Sequence, residues 1–179
     1  MIPVGAFVFG LLLWTLLEYV LHRFVFHERK LGVALSREHL EHHAKVDWFA
    51  PWSSKFALAI PVLGGLSLVA VPIVGVAVGV PLVLGVVGGW LTYEAIHRDL
   101  HVRAPTGAYG RWARRHHFRH HFGNPRGNHG VSTPIWDIVF RTLDPEPVVT
   151  IPKKHADRLH WMLDGEGIDA RFADTYVLR

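Results

Sequence analysis

FALAIPVLGGLSLVAVPIVGVAVGVPLVLGVVGGWLTY, residues 56–93, lies between Lys55 and Glu94 and carries no charged side chain over thirty-eight positions. As a single helix it would extend about 57 Å, nearly twice the roughly 30 Å hydrocarbon layer of a bilayer. It is therefore expected to fold back on itself. One helix is expected from about Phe56 to Val71, a turn at Pro72, Gly75, Gly79 and Pro81, and a return from about Val80 to Ile96. Both arms are short on this reading, which allows a deep dip in place of two full crossings.

Working outward, Ile2 to Leu21 is apolar except for Thr15, Glu18 and Tyr19, enough for one further crossing. A secretory leader fits poorly, because no basic residue precedes the apolar run and no small-residue cleavage site follows it. Arg23, Arg29, Lys30 and Arg37 come after it, which by the positive-inside rule places its C-terminal end in the cytoplasm. A hairpin then returns the chain to that same side at His97. The fold expected is all-α: an integral membrane helical protein of about three transmembrane or deeply inserted helices under a cytoplasmic, histidine-rich helical cap. The Ala, Val, Gly and Arg bias points to a bacterial inner membrane.

The 179 residues suit one domain, with a core over 1–147 and a C-terminal tail over 148–179. The chain has no cysteine, which excludes disulfides, cysteine-ligated iron–sulfur clusters and a thiolate nucleophile. Its net charge is +4, with much of the basic character close to the apolar segments. Anionic lipid headgroups explain this better than nucleic acid, for which no motif is present.

Histidine recurs at the ends of these apolar segments in four groups: His22 and His27; His39, His42 and His43; His97 and His101; His117, His120 and His121. Residues three or four apart on a helix lie about 5–6 Å apart at Cβ, so each of the last three groups can aim two or three ring nitrogens at one point. His22 and His27 are less tidy, since five residues leave two side chains roughly 140° apart on an ideal helix. The helix is expected to end or unwind there, or the two to serve different metals. Ten imidazoles exceed the capacity of one ion and divide as about five over each of two. Neutral imidazole suits iron, copper, zinc and nickel, and five ligands leave a sixth position open on an octahedral ion.

These four groups are followed by Asn128-His129-Gly130-Val131-Ser132-Thr133-Pro134-Ile135-Trp136-Asp137 and Val139-Phe140-Arg141-Thr142. In this order and with the apolar hairpin between the second and third, they resemble the membrane fatty acid hydroxylase and sterol desaturase superfamily over about Leu12 to Leu143. The resemblance implies a non-haem di-iron, dioxygen-dependent oxidoreductase hydroxylating a lipid, foremost a fatty acyl chain. Sterol and carotenoid hydroxylation or desaturation are the alternatives. The ten histidines are then the metal ligands, iron the native metal, and zinc a competitor that binds nitrogen-rich sites more tightly than ferrous iron. With no haem- or flavin-binding region in the chain, electrons are expected from a separate donor protein of ferredoxin or cytochrome type.

A membrane metal-binding protein without catalysis is the reading from another class. An ion path needs polar groups deep in the bilayer, and from Phe56 to Leu91 only Ser67 and Trp90 have a hydrogen-bonding side chain. Around the ligands, Glu18, Glu94 and Asp99 are candidate carboxylate partners of imidazoles. His116, Asn128, His129 and Asp137 are further candidates for supporting or substrate contacts. Trp136 and Phe122 are candidates for lining a substrate slot. Thr133 and Pro134 are expected to open a short helix through Thr142, and a second is expected from Ala156 to Leu163. His155 and His160 are read as surface residues.

Overall fold

The apolar N-terminal run forms α1 (Ile2–Val20), started by Pro3 in its first turn and continued without a break into a π-helical turn, Leu21–His27. Hydrogen bonds in that turn run i→i+5, so residues five apart return to one face. The awkward His22/His27 spacing thus marks a local unwinding, and both rings serve one site.

The charge-free stretch folds as α3 (Trp52–Val74) and α4 (Val76–Val102), after the short helix α2 (Val33–Ala44). The turn is narrower than the Pro72–Pro81 segment expected for it. Gly75 alone makes it, at φ 77° and ψ 160°, a conformation open essentially to glycine. Pro61 and Pro72 lie inside α3 and Pro81 inside α4, where the surroundings of a transmembrane helix tolerate the lost backbone bond. At 23 and 27 residues the arms extend about 35 and 40 Å. Each is long and apolar enough to cross a membrane, as is the Ile2–His27 helix; the expectation of short arms is corrected.

Nothing on α3 is buried, whereas α1 lies tightly along α4. A Cβ on Gly10 would stand 2.1 Å from the Leu82 carbonyl oxygen, one on Gly85 2.1 Å from that of Phe7, and one on Gly89 2.4 Å from Trp14 Cβ. Gly85 and Gly89 form a small-xxx-small stripe that lets two backbones meet where apolar burial gives no net drive in lipid.

Beyond the membrane-length helices, α5 (Gly107–Phe122) and α6 (Ile135–Val139) complete the helical cap. The basic face of α5 is not all turned to lipid: Arg114 is fully buried, and its Nε and Nη2 donate to the Leu100 and Asp99 carbonyls at 2.6 and 2.7 Å. It thereby satisfies the open last turn of α4. α6 is a single turn, and its preceding cap position is taken by Pro134, one residue later than expected.

The tail holds two small strand pairs. β1 (Val149–Ile151) pairs in parallel with β4 (Tyr176–Leu178), and β2 (Leu163–Asp164) with β3 (Gly167–Ile168) across Gly165, whose φ is 58°. Where one helix was expected, two 3-10 turns stand, Lys153–Arg158 and His160–Met162, separated by Leu159 at φ −119° and ψ 47°. Val149, Ile151, Leu159, Met162, Phe172 and Tyr176 close over Phe118 of α5. His155 is buried against Phe122, while His160 is exposed as expected. The structure, a computed structural model, describes residues 1–179.

Candidate metal centre

Each HX2HH motif divides between two sites. His22, His27, His39, His43 and His120 form one group, and His42, His97, His101, His117 and His121 the other; within each, one nitrogen per ring lies within 4.8 Å of all the rest. Successive helical residues point about 100° apart, so His42 and His43 turn to opposite groups, as do His120 and His121. The i,i+4 pairs His39/His43 and His117/His121 stay together. The groups are adjacent: His43 and His121, one from each, stack with ring centroids 4.0 Å apart.

Three of these rings are oriented by main-chain oxygens. Nδ1 of His22 meets the His129 carbonyl at 2.5 Å, that of His42 the Trp48 carbonyl at 2.7 Å, and that of His120 the Gly127 carbonyl at 2.7 Å. Nδ1 is thereby the donor, and the Nε2 lone pair is left to face the group. Burial, helped by neighbouring histidines, pushes His39, His43, His117, His120 and His121 well below the ordinary 6.5, and burial holds His42 at about 4. Neutral rings then converge with Nε2···Nε2 separations of 2.8–3.2 Å in the first group and 2.9 and 3.1 Å in the second. Nε2 of His22, His42 and His97 has no partner although buried. Converging lone pairs in a largely buried site are stabilised by a cation, and an all-nitrogen set suits a first-row transition metal ion.

The carboxylates expected to touch imidazoles mostly do something else. Glu18 accepts from the backbone N–H groups of Val131 and Ser132 at 2.5 and 2.9 Å and from Ser132 Oγ at 2.6 Å. It ties α1 to the loop whose His129 carbonyl orients His22. Glu94 pairs with Lys55 and accepts from Trp90 Nε1, while Asp99 faces Arg103 and Arg114.

Asp137 is buried and does meet a histidine, although not a member of either group: His116 Nε2 lies 3.3 Å away. It also accepts from the His129 and Gly130 N–H groups and from Thr142 Oγ1 at 2.8–2.9 Å. Burial raises the Asp137 carboxyl, but these donors outweigh it and leave it below its usual range. Asn128, at φ 55°, donates to the His116 and Asp144 carbonyls and accepts from Asp144 N–H. His129 stands edge-on to His22, His27 and His120 with centroids 5.3–5.5 Å away, outside the first group.

A cavity of about 390 Å³ opens between α1, α2 and the α3/α4 hairpin, with His22, His39, His42 and His97 among its lining residues. Those four come from both groups, and most of the remaining wall is apolar. Trp136 and Phe122 do not line it: Trp136 donates from Nε1 to Thr15 Oγ1 at 2.9 Å, and Phe122 packs on Phe118 and His155. The residues that do line it, Trp14, Leu58, Val62 and Tyr93 among them, look like ordinary membrane-helix residues in sequence. The orienting carbonyls carry no side-chain signal at all.

The sequence model of the family described as "Fatty acid hydroxylase" matches residues 7–142. Among curated proteins, the chain is 33% identical to a fatty acid 2-hydroxylase of Homo sapiens over 154 residues, covering 79% of this chain and 40% of that protein. It is also 33% identical to a dihydroceramide fatty acyl 2-hydroxylase of Arabidopsis thaliana over 143 residues, covering 75% of this chain and 59% of that one. The chain thus spans about two-fifths to three-fifths of the length of these relatives. A solved structure titled "Full length scs7p (only hydroxylase domain visible)" matches with a TM-score of 0.65 at 25% identity, over 80% of this chain and 57% of that one.

Proposed function

This chain belongs to the fatty acid hydroxylase family, and we propose that it is an iron- and dioxygen-dependent hydroxylase of lipid acyl chains, acting at the carbon next to the acyl carbonyl as its relatives' names describe. The observation that carries this reading is the cavity between α1 and the hairpin, apolar along most of its wall and ended by histidines of both groups. An acyl chain entering from the bilayer would meet both metal sites at one point. The ten histidines would hold two iron ions, one per group, and iron so bound supplies the activation of dioxygen needed to break an unactivated C–H bond.

The chain's own contribution is positioning and exclusion of water. Trp14, Leu21, Leu58, Val62, Leu63 and Tyr93 supply an apolar wall that holds the substrate chain against the histidine end. The carbonyls of Trp48, Gly127 and His129 keep three rings in the tautomer and orientation that present Nε2. In the overall reaction one oxygen atom enters the C–H bond as hydroxyl. The other leaves as water, with two electrons and two protons delivered by a separate ferredoxin- or cytochrome-type donor. The arginines following α1 favour a cytoplasmic placement of the histidine cap.

Turnover of a saturated acyl substrate under labelled dioxygen, with a reconstituted electron donor, tests the reading. One labelled oxygen atom in a 2-hydroxy product is expected. A new double bond without label would mean desaturation, and the absence of any oxygen-dependent change across acyl, sterol and carotenoid substrates would overturn the oxygenase assignment.

A further inference from the structure

The cavity has one polar wall. Lys55 of α3 and Glu94 of α4 form an ion pair there, with side chains 18% and 12% exposed, and Trp90 Nε1 donates to the other Glu94 oxygen at 3.2 Å. Beside them Ser54 Oγ donates to Glu38 Oε1 at 2.7 Å. All five side chains except the exposed faces of their stems belong to the cavity lining or its edge, and Glu94 precedes His97 by three residues on the same helix face. Partly dehydrated ion pairs in membrane helices are costly to keep. The Lys55 ammonium has three donors, of which Glu94 engages one direction and the Trp52 ring, 5.0 Å away, another.

We propose that the Lys55–Glu94 pair is the subsite that binds the head of the acyl substrate, the ammonium donating to the acyl carbonyl and the Glu94 and Glu38 carboxyls accepting from head N–H or O–H groups. The subsite takes an uncharged head, an amide or ester, in preference to a free carboxylate. One ammonium faces two carboxyl groups on this wall, those of Glu38 and Glu94, so an anionic head meets net repulsion. Held at Lys55, the carbonyl leaves the neighbouring carbon beside His97 and His42, and the remaining chain runs along the apolar wall. The inference rests on the acyl-chain reading above.

Binding to the full chain in detergent is followed by the change in tryptophan emission, since Trp14 and Trp90 line the cavity. The probes are dodecanoyl ethanolamide, dodecanoate and dodecane. The ethanolamide is expected to bind more tightly than dodecanoate. Lys55→Met should weaken it about tenfold while leaving dodecane unchanged, the loss expected for one net hydrogen bond to a charged donor. Lys55→Arg should restore part of that affinity. Where Lys55→Met also loses dodecane, Glu94→Gln decides by the same comparison. Undiminished ethanolamide binding in the deciding variant, or tighter wild-type binding of dodecanoate, would overturn the proposal. Binding needs neither iron nor dioxygen, so Lys55-dependent affinity without any hydroxylated product would sink the hydroxylase reading and leave the subsite standing.

Discussion

At the scale of single residues, neighbouring histidines have separate jobs. His120 belongs to one group and His42 to the other, so His120→Ala and His42→Ala should each lower metal content from about two ions per chain toward about one. Turnover should vanish in both variants. Elemental analysis after iron loading decides; a fully occupied wild type with one ion per chain would refute the two-metal reading. His155 makes a pH prediction away from the metal groups. Burial, with Lys154 and Arg158 nearby, lowers it from the ordinary 6.5. The unfolded chain therefore takes up the proton first, and this residue costs stability as pH falls below 6.5 toward its folded value. His155→Phe should flatten the melting temperature between neutral and mildly acidic pH relative to wild type, and an unchanged slope would exclude His155 as a source of it.

At the scale of elements, backbone approach and backbone conformation matter more than propensity. A side chain on Gly85 would collide with the Phe7 carbonyl, whereas Gly64 on α3 has open space around it. Gly85→Val should cost about 1–3 kcal/mol or more through forced separation of α1 and α4, and Gly64→Ala should stay within about 0.5 kcal/mol of wild type. Thermal unfolding in detergent measures both; equal effects would argue against the glycine-lined crossing. The π-helical turn is the other element with a specific job. It brings His22 and His27 onto one site, a result that a continuous α-helix would deny by roughly 140°.

At the scale of the whole molecule, all histidine groups lie together while Gly75 marks the far end of the hairpin. Arg114 is buried and makes a poor reporter, so Lys45 and Arg111, both exposed, are the better positions, with Val76 at the turn. Introduced singly into this cysteine-free chain, Lys45→Cys and Arg111→Cys should react with an impermeant maleimide from one side of the membrane and Val76→Cys from the other. Labelling of positions 45 and 111 from opposite sides would split the histidine cap.

The long apolar runs, the hairpin and the ten clustered imidazoles were legible in the sequence, because absence of charge over a bilayer's length and repeated ligand spacing are local patterns. The turn residue, the helical ends and the tail strands were not, since membrane-length helices absorb proline and the tail is shaped by what it covers on Phe118. Sequence spacing alone put His39, His42 and His43 near one another and divided ten imidazoles by two. Only the tertiary structure decided which ring serves which group, because that depends on how four helices meet at their ends. It likewise replaced Trp136 and Phe122 as cavity walls and turned Glu18 from a histidine partner into a clamp on the Val131–Ser132 loop. The Glu18 and Trp136 contacts join residues more than a hundred positions apart, a distance over which no local pattern carries information.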